Sequence, residues 1–153
     1  MTELESVLQA SRPETTFGLE IAGVALRVQT NAALLDTRLR SYFAPYVVAE
    51  PPDPAGRVSL FMGTPVYDAA HLVDIPRRAS AAGIKEAFYD AADARVILKR
   101  RTGVVIYVAE PEHYVVGDLD ANFNQAVNAV AMVFAKTMVR RGFVMLHASA
   151  VLG

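Results

Sequence analysis

Histidine is the side chain best suited to proton transfer at neutral pH, and the three histidines of this sequence are far apart. His71, His113 and His147 have no metal-ligand spacing and the chain has no cysteine, so no zinc site is expected. His147 lies in the apolar run FVMLHASAVLG. An imidazole there is either a core residue with satisfied hydrogen bonds or a catalytic group, and the residues alone leave both interpretations open.

The charged clusters have structural explanations beside functional ones. The basic run KRR at 99–101 is expected at a hairpin tip, either as a solvated turn or as a contact for an anion or an acidic partner. The pairs Asp90/Asp93 and Asp118/Asp120 stand beside predicted turns and a helix start, where carboxylates cap backbone amides. We therefore interpret the aspartates as structural.

The glycines never form the G-x-G-x-x-G or G-x-x-x-x-G-K-[ST] spacing that holds phosphates, so these 153 residues are not expected to bind ATP by themselves. An irregular stretch at 65–83 is the longest candidate functional loop. It contains His71, Asp74 and Arg78, whose spacing demands no particular chemistry.

The first half of the chain predicts short elements that position these groups. Thr2 and Glu5 form a capping box for an opening helix. Alternating apolar residues predict a β-hairpin over 17–28, and Thr30 or Asn31 is expected to cap a second helix. The proline-rich segment at 50–56 then predicts a surface loop rather than a domain boundary.

The second half predicts a meander of strands followed by the longest helix. The strands are expected at 87–90, 95–100, 104–108 and 113–116. Asp120 is expected to cap a helix over 120–141, whose buried stripe would be Phe123, Val127, Val130, Phe134 and Met138. Residues 143–153 read as a strand buried on both faces. The predicted fold is a single α+β domain over 1–153, an antiparallel sheet with one long packed helix and two shorter helices.

Composition narrows the class of protein. The chain is 53% hydrophobic with a net formal charge of −1, which is typical of a folded domain and argues against nucleic acid as a partner. The first residues do not resemble a secretory signal and no apolar run reaches the ~20 residues that span a bilayer, so a cytoplasmic protein without membrane contact is expected. Most basic residues are arginine, which is typical of a GC-rich bacterial genome.

The predicted helix at 120–141 and the sequence RRGFVMLHASAVLG that follows it resemble one protein family. They are similar to the stretch just before the nucleotide loop of the HPr kinase/phosphorylase family, and closer still to the HPr-kinase-related kinases. In that family a Leu-His strand precedes the phosphate loop, and its histidine belongs to the active site. The resemblance is specific over about a dozen residues and extends over about thirty, and it implies that His147 is a catalytic candidate.

The resemblance implies an N-terminal substrate-recognition, regulatory or assembly region of a serine/threonine kinase. ATP and Mg²⁺ would then be bound beyond Gly153, in a longer polypeptide from which these residues were cut, and 143–153 would be the first strand leading into the nucleotide-binding core. A protein substrate and a homo-oligomer are expected on the same ground. Two alternatives stay open: a self-contained α+β binding module for a protein or small ligand, and a non-kinase enzyme using His71, Asp74 and Arg78.

Overall fold

One nine-stranded sheet with helices on both faces organises the chain. The computed structural model describes residues 2–75 and 83–143. The helices are α1 (Glu3–Ala10), α2 (Ala33–Tyr42) and α3 (Phe123–Arg140). The strands are β1 (Thr15–Ile21), β2 (Val24–Thr30), β3 (Val47–Val48), β4 (Gly56–Met62), β5 (Val73–Asp74), β6 (Glu86–Asp90), β7 (Arg95–Lys99), β8 (Val104–Val108) and β9 (Glu112–Gly117). The predicted α+β class, with one long and two shorter helices, is confirmed.

The strand order is β3-β1-β2-β4-β9-β8-β7-β6-β5. The predicted meander is confirmed, because β6, β7, β8 and β9 pair in sequence and antiparallel. The sheet is mostly antiparallel, but β2 pairs with β4 and β4 with β9 in parallel. The first parallel pair follows from α2, which carries the chain back between β2 and β4 as a crossover helix.

The hairpin and the opening helix form as their local sequence predicts. β1 and β2 pair from Thr15↔Thr30 to Ile21↔Val24, and Ala22 and Gly23 in the turn both have positive φ. At α1 the hydroxyl of Thr2 accepts a hydrogen bond from the Glu5 amide. The Glu5 carboxylate accepts one from the Thr2 amide in return, which completes the predicted capping box.

Two apolar cores lie on opposite faces of the sheet. The larger core packs α2 and α3 against the sheet and includes Leu26, Leu39, Leu60 and Val133, all nearly or fully buried. The smaller core lies under α1, where Val7 meets the other face of the meander at Val96 and Tyr107. Because side chains alternate along each strand, both faces of the central strands contribute to burial.

The predicted buried stripe of α3 is only partly correct. Val130 and Met138 are buried, but Phe123, Val127 and Phe134 are only half-buried. The buried face instead consists of Ala126, Ala129, Val130, Val133, Thr137 and Met138. Small residues on this face allow a close approach: a Cβ added to Gly56 of β4 would lie 2.5 Å from Thr137 Oγ1. The large aromatic rings are therefore displaced to the flanks of the helix.

The predicted caps of the two later helices are also corrected. α3 begins at Phe123 rather than 120, and Asp120 contacts Arg38 while Asp118 Oδ1 accepts from the Ala121 amide. The N-cap of α2 is Ala32, which has no side chain to bond the helix amides.

Thr30 and Asn31, the two residues predicted to cap α2, bind elsewhere. Thr30 Oγ1 accepts from the Ala32 amide. Asn31 exchanges two hydrogen bonds with the backbone of Met62, with its Oδ1 accepting at 2.7 Å and its Nδ2 donating at 3.0 Å. Asn31 thus fixes the chain to the end of β4, and neither residue caps the helix.

No helix within 2–75 and 83–143 combines the length and apolar character needed to cross a bilayer. Residues 144–153 lie outside the described part of the chain, and with them most of the strand predicted at 143–153.

Candidate functional site

The residues predicted for chemistry are not brought into one active site by the described structure. His147 and Arg78 lie outside the described residues. His71 has its Nδ1 2.8 Å from Asp68 Oδ2 and its side chain is 72% exposed, whereas Asp74 accepts from Arg100 Nε at 2.8 Å. His71 and Asp74 thus have separate partners, and the structure offers no acid–base pair between them.

The described part of the 65–83 loop is anchored to the sheet by two tyrosines. The Tyr107 hydroxyl donates to the carbonyl of Val66 at 2.6 Å and lies 3.1 Å from the Val66 amide. The Tyr89 hydroxyl accepts from the Asp68 amide at 2.9 Å. The loop also contributes the short strand β5, which pairs with β6. This part of the loop is therefore attached structure rather than a free binding segment.

The basic run 99–101 lies at the turn between β7 and β8, as predicted, but its three residues have different environments. Lys99 Nζ lies 2.8 Å from Glu86 Oε1, and both side chains are mostly buried. Arg100 pairs with Asp74 of β5. Arg101 is exposed and has no ion pair with the described residues, so it is the member of the run that is available to a ligand.

A polar cleft of about 690 Å³ lies between this turn and the first turns of α3. We call it the basic cleft. It is lined by Lys85, Glu86, Lys99, Arg101, Thr102, Asn122, Asn124, Gln125 and Asn128. Its volume is within the range of small-molecule sites, but its lining contains no aromatic ring and no aliphatic side chain. Such a lining favours a hydrated, polar ligand or segment.

Two local features place the residues that line the basic cleft. Gly103 has a φ of +70°, and its amide and that of Thr102 both donate to the Lys99 carbonyl, which closes the turn that carries Arg101. On the other side, one amide side chain stands at the N-cap of α3 and three more follow in its first two turns, so the start of the helix presents four of them to the cleft. Those four side chains are Asn122, Asn124, Gln125 and Asn128.

The charge of the basic cleft is positive. Its three cations and one carboxylate give a net formal charge of +2, and Glu86 is paired with Lys99. Lys85 and Arg101 form no ion pair with the described residues. Two unneutralised cations facing amide donors can bind carboxylates or phosphates, because each anion oxygen accepts several hydrogen bonds.

A second charged cluster joins the end of α3 to the turn before β9. Glu110 Oε1 lies 2.6 Å from Lys136 Nζ and 2.7 Å from Arg140 Nη2. Hydrogen bonds from Arg140 and then Lys136 lower the pKa of Glu110 from 4.5 to about 2. These pairs tie the helix to the turn and keep the carboxylate ionised.

His113 completes this second cluster from the inside. It is 4% exposed, and its Nδ1 lies 2.7 Å from the Ala109 carbonyl, so the proton is on Nδ1 and Nε2 faces Lys136 Nζ at 3.2 Å. Burial, and then the charge of Lys136, lower the pKa of His113. A neutral, buried imidazole with both nitrogens engaged is a structural residue.

No group of three or more metal-ligating side chains occurs in the described ranges. The comparisons with known proteins give no likeness either: no family model, no curated protein and no solved structure matches the chain. The sequence points to the basic run 99–101 either as a solvated turn or as a contact for an anion or acidic partner, but it does not point to Lys85 or to the side-chain amides at the start of α3. The sequence signal for the amides is the repeated occurrence of Asn and Gln between 122 and 128, at the start of the predicted helix.

Proposed function

We propose that this chain is the substrate-recognition region of a serine/threonine kinase related to HPr kinase, and that the basic cleft docks an acidic segment of the protein substrate. ATP and Mg²⁺ belong to the nucleotide-binding core of the longer polypeptide that the resemblance implies. The proposal includes a bacterial, cytoplasmic homo-oligomer. The observation that carries it is the basic cleft, in which two cations without an ion pair to any described residue stand opposite four side-chain amides.

The division of labour follows from what the sequence contains. No phosphate-loop spacing occurs anywhere in the 153 residues, while the RRGFVMLHASAVLG segment resembles the approach to such a loop. Phosphoryl transfer depends on positioning around magnesium and phosphate, so a region without those groups contributes by holding the substrate. Calorimetry of the chain with ATP and Mg²⁺ is expected to show no binding; micromolar affinity would contradict this division.

Docking in the basic cleft is tested with a glutamate-rich peptide containing one serine. Its affinity for the chain is expected to fall about tenfold when Lys85 and Arg101 are both changed to Gln, and to weaken as salt is raised. Arg141→Gln is the matched control, since Arg141 is exposed at the far end of α3. Equal losses in the control and the double variant, or no loss in either, would refute docking in the cleft.

The catalytic part of the proposal concerns His147 in the longer polypeptide. His147→Gln keeps a polar side chain of similar reach but cannot shuttle a proton. Phosphorylation of the protein substrate by ATP and Mg²⁺ is expected to slow by about 10²–10⁴ with an unchanged melting temperature. A packing role would instead lower the melting temperature and leave the rate of the folded enzyme unchanged. A variant that stays both active and stable removes His147 from the site.

A self-contained binding module is the second candidate. It is favoured by the two apolar cores on opposite faces of one sheet, which give the domain a hydrophobic interior of its own. One result distinguishes the kinase region from the binding module. If the longer polypeptide transfers no phosphoryl group from ATP while the acidic peptide still binds the basic cleft, the chain is a binding module.

A further inference from the structure

The face of the sheet opposite α3 carries a polar patch whose side chains are in register across four strands. Thr16 pairs with Gln29, Gln29 with Ser59, and Ser59 with Tyr114. In the neighbouring row, Arg57 stands opposite Glu112. Hydrogen bonds join neighbours in this patch: Gln29 Nε2 donates to Thr16 Oγ1 at 3.2 Å, and the Ser59 hydroxyl donates to Glu112 Oε1.

A small cavity of about 200 Å³ opens on this patch beside the end of α1. We call it the zwitterion cavity. Leu8, Pro13 and Phe61 form its apolar wall. Glu112 and Arg12 are its two charged residues, and Tyr114 lines it as well. The volume is below that of sites for drug-sized molecules, so only a small molecule would fit.

The carboxylate of Glu112 is held in place for a ligand. The Ser59 hydroxyl, only 1% exposed, donates to Glu112 Oε1 and lies 3.4 Å from Gln29 Oε1. Glu112 Oε2 receives no hydrogen bond from the described residues. One oxygen is thus fixed by the protein, and the other is available to accept from a ligand ammonium group.

Two donors complete the zwitterion cavity. The Tyr114 hydroxyl bonds no described residue, and its ring is stacked on Phe61 with centroids 6.4 Å apart. Burial, and then the negative charge of Glu112, raise the pKa of Tyr114, so the phenol keeps its proton and donates. Arg12 is exposed and forms no ion pair with acidic side chains of the described ranges, which leaves its guanidinium for an anion.

We propose that this cavity binds a free α-amino acid with an apolar side chain. The ammonium group binds Glu112, the carboxylate binds Arg12 and Tyr114, and the side chain packs on Leu8, Pro13 and Phe61. Among the residues that line the cavity one carboxylate and one guanidinium carry opposite charges, which fits a molecule carrying both charges; Arg57, opposite Glu112 in the sheet, does not line the cavity. This site is separate from the basic cleft, so the inference does not rest on the proposed function.

The experiment titrates the chain with L-leucine and with its two halves, 3-methylbutylamine and 4-methylpentanoate, by calorimetry or amide chemical shifts. Leucine is expected to bind with a Kd of about 1 mM or tighter, since small ligands gain limited energy per atom. Each half loses one ionic contact and is expected to bind at least about tenfold more weakly. Glucose, a neutral polyol, is expected not to bind.

Variants locate the binding. Glu112→Gln and Arg12→Gln are each expected to weaken leucine about tenfold, and Tyr114→Phe by a few-fold. Arg12 is exposed, so its variant folds even if Glu112→Gln does not. Arg101→Gln, in the basic cleft, is the control and leaves leucine binding unchanged. The proposal is overturned if the folded chain does not bind leucine, or if either half binds as tightly as leucine. It is equally overturned if glucose binds, or if Arg12→Gln leaves the affinity for leucine unchanged.

Discussion

The two faces of strand β4 show how differently one sheet can use its sides. Val58 and Leu60 point under α3 and are fully buried. Arg57 and Ser59, their neighbours in sequence, point to the other face, beside Glu112 and Tyr114. The same seven-residue strand therefore presents apolar core residues on one side, and polar residues beside the buried Phe61 on the other.

The difference comes from what covers each face. The 18-residue α3 and the 10-residue α2 cover one side, whereas α1 has eight residues and packs on the meander through Val7. On that side the buried Phe61 of β4 belongs to the same core as Val7, and the end of α1 borders the cavity over Gln29 and Ser59. A short helix covers less of a sheet than a long one, so this side keeps partly exposed polar side chains, such as those of Gln29 and Arg57, beside its apolar core.

Truncating a buried side chain on the face under α2 and α3, here called the covered face, is expected to have the largest effect on stability. Leu60→Ala is expected to lower the free energy of unfolding by about 2–5 kcal/mol, because it removes a fully buried side chain and leaves a cavity. Phe134→Ala is expected to cost less, about 1.5–2.5 kcal/mol, since the ring is half-buried on the flank of α3. Urea denaturation measures both. A loss below about 1 kcal/mol for Leu60→Ala would mean that α3 does not seal this face.

The close contact between α3 and β4 gives the next largest effect. A Cβ at Gly56 would lie 2.5 Å from Thr137 Oγ1 and 2.8 Å from Leu26 Cδ2. Gly56→Ala is therefore expected to destabilise the fold by about 1–3 kcal/mol through overpacking. Adding Thr137→Ala removes one of the two clashing groups and is expected to recover part of that loss in a double-mutant cycle. Strict additivity of the two changes would show that the helix sits farther away.

The sequence predicted most elements of this fold because their signals are local. The alternation through 17–28 and the short turns of the meander are properties of neighbouring residues, and the structure confirms both. The parallel β2–β4 and β4–β9 pairs were missed because strand order depends on long-range packing. The stripe of α3 was placed on its phenylalanines, whereas Gly56 and the alanines determine which side of the helix approaches the sheet.

The candidate sites were less predictable than the fold. Arg101 belongs to a basic run that is visible in the sequence, but Lys85 joins it only through the pairing of β6 with β7. Ser59, Glu112 and Tyr114 are isolated polar residues within strands, and only the register brings them together. A site assembled across strands leaves no spacing pattern in the sequence, so these residues could not be predicted to lie together.

The polar face is tested by removing the Ser59 hydroxyl. Ser59→Ala deletes a buried hydrogen bond to the Glu112 carboxylate and is expected to cost about 1–2 kcal/mol in unfolding free energy. Thr37→Ala is the control, because Thr37 is exposed on α2 and its hydroxyl donates to the Ala33 carbonyl of the same helix; its loss is expected to stay within about 0.5 kcal/mol. Equal values for the two variants would show that the polar face contributes no more than an exposed helix surface.

The covered face has a titrating residue at its rim, His113. Its pKa is lowered in the folded chain, so below the unfolded value of 6.5 the unfolded chain takes up the proton first. The stability due to neutral His113 is thus complete above pH 6.5 and declines as the pH falls toward the folded pKa. Thermal melts of His113→Leu are expected to lack this decline, while His71→Gln retains it. An unchanged decline in His113→Leu would assign it to other groups.

The smallest effect is expected from Glu110, which lies outside His113 in the same cluster. Its pKa of about 2 lies below the unfolded value of 4.5, so its contribution is complete above pH 4.5 and is lost as the pH falls toward 2. Because its side chain is 53% exposed, solvent screens the pairs with Lys136 and Arg140, and Glu110→Gln is expected to cost less than about 1 kcal/mol at pH 7. Added salt should shrink that cost. A loss above about 2 kcal/mol that salt does not reduce would mean that this carboxylate joins α3 to the turn before β9 as a buried contact, and that the covered face extends past its charged rim.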